Sequence, residues 1–73
     1  MHAQMKFYKK VNLDLGTKAS AHACHYHNAR DVTMLVFAEN SGEQRIRMNA
    51  DEAELLAAHL LQAAAKLREM YAA

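Results

Sequence analysis

His22-Ala23-Cys24-His25-Tyr26-His27 is the segment richest in groups that do chemistry. Imidazole and thiolate ligate zinc, nickel and copper, and a thiol beside an imidazole is the raw material of a nucleophile. Extended backbone divides the set, because alternate side chains point to opposite sides. His22 and Cys24 share one side, and His25 and His27 share the other. Each pair supplies two ligands, and no second cluster adds a third at ligand spacing, so no metal and no cofactor are expected. Cys24 reads as a small buried hydrophobe. Apart from Asp14, the acids fall in turns (Asp31, Glu39, Glu43) and along a helix (Asp51, Glu52, Glu54, Glu69), which provides no catalytic carboxylate pair. Two glycines are too few for a phosphate-cradling loop. The expectation is a protein that is not an enzyme.

The second chemistry is cationic. The chain sums to +1, from 9 basic and 8 acidic residues, but their placement differs. Lys6 and Lys10 alternate with apolar residues near the N-terminus, and Arg45 and Arg47 do so further on. If those strands lie in one sheet, four cations converge on one face. Tyr8, His25 and His27 would add rings there, over a floor of Val32, Met34 and Val36, with Asp14 as that face's only acid. Phosphates bind cations and unpaired bases stack on rings, so this face suits single-stranded nucleic acid, DNA or RNA.

The elements that must position these residues follow from periodicity. Met5 to Met48 alternates apolar and polar residues, and Ala50 to Tyr71 repeats at helical spacing. The strands are expected at about 5–15, 18–27, 32–39 and 44–49, and the helix at about 50–71. The fold class is α+β: a four-stranded antiparallel meander, then one long C-terminal helix packed on one sheet face, all in a single domain over 1–73. Turns at Gly16-Thr17, at 28–31 and at 40–43 would put Phe7 opposite Tyr26, Cys24 opposite Leu35 and Phe37 opposite Ile46. A core face of Met5, Phe7, Val11, Leu13, His22, Cys24, Tyr26, Leu35, Phe37, Ile46 and Met48 would result. Asn49 and Glu52 have the spacing of a capping box, and Asp51, Glu52 and Glu54 suit the positive helix end.

Size brings in a partner. Hydrophobic residues make up 52% of the 73, but 15 of them are alanine. A chain this short with one cysteine, and hence no internal disulfide, is marginal alone. A helix of about 33 Å would overhang four strands spanning under about 20 Å. Leu55, Leu61, Leu67 and Met70 are therefore expected at a homodimer interface. No apolar run reaches the roughly 20 residues of a membrane span. The N-terminus lacks the apolar core of a secretory signal, and the lone cysteine fits a reducing compartment, so a cytoplasmic location is expected.

Gly42-Glu43-Gln44-Arg45-Ile46-Arg47-Met48-Asn49-Ala50-Asp51-Glu52, a basic strand leading into an amphipathic helix after three earlier strands, resembles the positive-cofactor-four family of transcriptional coactivators. The whirly proteins share that topology. The resemblance covers mainly Arg45 to Leu67. It implies a dimer of curved antiparallel sheets that binds single-stranded or melted DNA without catalysis, with Lys6, Lys10, Arg45 and Arg47 on phosphate and Tyr8 stacking. A different class is a small protein-binding inhibitor or adaptor of phage or mobile-element type. It would dock through the apolar strand Val32 to Ala38 and the spare helix leucines.

Overall fold

The computed structural model describes residues 4–14 and 18–72. Four strands, β1 (Met5–Asp14), β2 (Lys18–Tyr26), β3 (Val32–Ala38) and β4 (Gly42–Met48), form one antiparallel sheet in chain order, and one helix, α1 (Ala50–Tyr71), follows. The chain is an α+β protein with an open sheet. No helix among the described residues is long and apolar enough to cross a membrane.

The helix starts where its capping chemistry dictates. The Asn49 side chain accepts from the backbone N–H of Glu52 (2.7 Å), and the Glu52 carboxylate accepts from the N–H of Asn49 (3.0 Å). Two otherwise orphaned donors are satisfied reciprocally. Asn49 is also the single residue between β4 and α1, held extended at φ −77°, ψ 173°.

That junction sends α1 away from the sheet, which corrects the expectation of a helix packed on one sheet face. No residue of α1 is buried. The chain measures 52 × 30 × 16 Å, so its thin dimension is one layer of structure. A core needs a second layer, and a one-residue connection after an edge strand leaves no length for the helix to double back.

The registers differ from expectation in an instructive way. Asp14 pairs with Lys18 and Tyr8 with Cys24, which leaves three residues, 15–17, for the connection. The expected Gly16-Thr17 turn lies outside the described residues. At the other hairpin Ala38 pairs with Gly42 around a three-residue loop. Ser41 N–H donates to the Ala38 carbonyl (3.2 Å), and Gly42 sits at φ +72°, a region glycine enters without steric cost. Each of these hairpins is an odd number of residues out of the expected register, which turns the strand over. The central hairpin moves by two, with Cys24 opposite Thr33, and keeps its faces. Asn28 at φ +65° and the Ala29 N–H to Tyr26 carbonyl bond (3.1 Å) close it.

β1 and β4 are therefore inverted relative to the central pair. One face carries Tyr8, Lys10, Asn12, Ser20, His22, Cys24, Thr33, Leu35, Phe37, Glu43, Arg45 and Arg47. The other carries Phe7, Lys9, Val11, Leu13, Ala19, Ala21, Ala23, His25, Val32, Met34, Val36, Gln44, Ile46 and Met48. The expected single core face does not form. Instead the buried residues, Cys24, Leu35, His22 and Thr33, are a patch at the centre of the polar face.

Candidate functional site

The polar face is built around an imidazole. His22 is 7% exposed on central strand β2. One ring nitrogen, Nδ1, bonds the Tyr8 hydroxyl from β1, and the other, Nε2, bonds Ser20 Oγ at 2.9 Å. A neutral imidazole has one donor and one acceptor, and two hydroxyls satisfy both whichever way the protons run. No buried side-chain polar atom among the described residues lacks a partner. The Phe37 ring from β3 meets His22 edge-on at 5.0 Å and 78°, and Tyr8 lies at 5.3 Å and 45°. Tyr8, His22 and Phe37 thus form a strip of rings across three strands. The outer two remain open, at 45% and 39% exposed.

Cations surround the strip. Lys10 is opposite His22 on β1, and Arg45 is opposite Leu35 on β4. Lys18 lines a shallow depression with Asn12, Ser20 and Phe37. Arg47 lines another with Met5, Tyr26, Thr33 and Arg45. Both arginines are well exposed, and both have acidic neighbours. Arg47 binds Asp31 through two nitrogens, at 2.6 and 2.8 Å, and Arg45 approaches Glu43 at 3.4 Å. These acids were assigned to turns away from the basic face, with Asp14 its only acid. Glu43 lies on that face, and Asp31 reaches it, because β4 is inverted. Exposed pairs of this kind contribute at most about 1 kcal/mol each, so a phosphate can displace the carboxylate.

Of the residues expected to bind nucleic acid, Tyr8, Lys10, Arg45 and Arg47 come together. Lys6 occupies a register irregularity between Met5 and Phe7. His25 lies on the opposite face, opposite Phe7, and its Nε2–H donates to the Ala29 carbonyl (3.1 Å), where it braces the turn. His27 follows β2, its N–H on the Gln4 carbonyl (2.6 Å) and its side chain at the rim of the Arg47 depression. The floor is also exchanged: Val32, Met34 and Val36 face away, and His22, Cys24, Thr33 and Leu35 take their place. Phe37 and Lys18 are the residues that sequence reasoning missed. Gly42 held the signal, since a three-residue loop closed by a left-handed glycine puts Phe37 among the basic residues.

Among the described residues no three His, Cys, Asp or Glu side chains are grouped as metal ligands. Burial pushes the Cys24 thiol above its ordinary pKa, and the positive charge of Arg45 opposes that shift in part. Leu55, Leu61, Leu67 and Met70, expected at a dimer interface, all lie on the surface of α1. No protein-family model, curated protein or solved structure matches the chain.

Proposed function

We propose that this protein binds single-stranded nucleic acid on the face that carries Tyr8, Lys10, Lys18, Phe37, Arg45 and Arg47, without catalysing a reaction. The observation that supports the reading most is the strip of Tyr8, His22 and Phe37 rings flanked by four cations on one open face. Exposed rings are sequence-tolerant platforms for unpaired bases, and flanking cations track the backbone. His22 holds Tyr8 by a hydrogen bond, so less side-chain freedom remains to be lost on stacking. The resemblance of β4 and the start of α1 to the positive-cofactor-four family points to the same ligand.

Fluorescence anisotropy with a labelled oligonucleotide, titrated from low to physiological salt, tests this. About four phosphate contacts give a log–log salt slope of about −3 for a single strand. Absence of binding at low salt, or equal affinity for an Arg45→Ala/Arg47→Ala double variant, overturns the proposal.

A further inference from the structure

The face opposite the rings is mainly apolar and has no cover. Phe7, Val11 and Leu13 of β1 line one side of it, and Met34, Val36 and Ile46 the other. Phe7, Val11, Leu13 and Ile46 are all exposed. Between the two rows β2 presents Ala19, Ala21 and Ala23, with His25 at one end. Small side chains flanked by large ones make a trough. Its alanine floor runs from Ala19 to Ala23, about 13 Å of strand, and its flanking strands stand about 10 Å apart. An α-helix is about 10 Å across, and the 22 residues of α1 extend about 33 Å. The trough has the width of a helix, and its alanine floor seats about two turns of α1.

The chain's own α1 is held out of it. The Asn49–Glu52 capping box fixes the strand–helix junction one residue after edge strand β4, and α1 leaves with no residue buried. Leu56, Leu60, Leu67, Met70 and Tyr71 remain on its surface.

Surface area favours a second copy as the occupant. A folded monomer of 8.2 kDa exposes about 4,500 Å², whereas this chain exposes 6461 Å². The excess, about 1,900 Å² per chain, is what each partner contributes to an obligate homodimer interface. Charge agrees with this, since α1 carries four acids against two bases, and Lys9 stands at the edge of the trough.

We infer that the trough takes α1 of a second copy of this chain. The exchange is reciprocal, related by a two-fold axis, and leaves the ring-bearing face of each protomer outward. It does not depend on nucleic-acid binding, because it concerns the opposite face.

Sedimentation equilibrium of the full chain at micromolar concentration should give twice the chain mass. Isotope-filtered nuclear Overhauser spectra of a labelled and unlabelled mixture should then show methyl contacts from Ala21 and Ala23 to Leu56, Leu60 or Leu67 of the other copy. Three results overturn the inference: a folded monomer, a dimer whose intermolecular contacts run only from helix to helix, or these methyl contacts within one chain. The wild-type chain serves throughout, so no variant has to fold for the test to decide.

Discussion

The two faces of this sheet use the same four strands for opposite purposes. The ring-bearing face covers itself: the side chains around His22, Cys24, Thr33 and Leu35 bury that patch within one chain. The alanine face has nothing to cover it, although it is the more apolar of the two. A row of alanines between rows of larger residues cannot bury itself, because none of its side chains is long enough to fold over its neighbours. Long amphipathic side chains such as Lys, Arg and Tyr can do so, laying their apolar stems over the sheet while their heads stay in water. A face can thus be polar at its rim and closed at its centre, whereas a mainly apolar face floored by alanines requires another element.

The sharpest way to break this contrast is on α1. Leu60→Glu changes a residue that is 61% exposed in the single chain, and exposed substitutions cost within about 0.5 kcal/mol. Seated in a partner's trough, the same change removes a buried leucine and introduces a charge, at about 2–4 kcal/mol. Urea unfolding at two protein concentrations separates these cases. The large loss, with a concentration-dependent midpoint in the wild type, is expected, and a loss under the smaller figure assigns the apolar face no partner helix.

On the other face the largest expected effect is on ligand affinity, with little on the fold. Arg45→Ala/Arg47→Ala should reduce the magnitude of the salt slope by about 1.4, since each single-strand phosphate contact contributes about 0.7. Its unfolding midpoint should stay close to wild type. Loss of fold in this variant would mean that the arginines brace the patch beneath them. A smaller effect of opposite sign is expected from Asp31→Asn. Asp31 holds Arg47 through two nitrogens, so a phosphate must displace it, and its neutralisation should tighten oligonucleotide binding a few-fold at low salt. Weaker binding in Asp31→Asn would show that the pair positions Arg47 for its ligand.

The sequence located elements more readily than faces. Alternation and helical spacing gave all four strands and α1 to within about two residues, because periodicity is a property of one segment. Asn49 and Glu52 marked the helix start because a capping box is local chemistry, complete within four residues. Which strand faces agree depends on loop length, where one residue exchanges every side chain of a strand. Gly42 was legible as a turn residue, but its left-handed φ at the third step after Glu39 is what inverts β4. Arg45, Arg47, Lys10 and Tyr8 still converge because β1 and β4 invert together. His25 was lost from the site for the same reason, since β2 did not turn over with them. The exit of α1 was legible in principle, because a single residue, the cap itself, separates the last strand from the helix.

The smallest expected effect concerns which face a second copy leaves free. Cys24, 1% exposed, lies beneath the ring-bearing face, and burial raises its thiol pKa. A raised folded-state value means that the thiol stays protonated in the fold at a pH where the unfolded chain begins to ionise. Its contribution to stability is complete below the ordinary thiol value and is lost as pH rises through the folded one. Thiolate is the alkylating species, so iodoacetamide should label Cys24 far more slowly in buffer than in urea at mildly alkaline pH. The cover over Cys24 comes from its own chain. Dilution that separates two copies should therefore leave labelling slow, provided the sheet stays folded by circular dichroism. Labelling that accelerates on dilution while the sheet persists would mean that the second copy lies over the rings, and the assignments of the two faces would exchange.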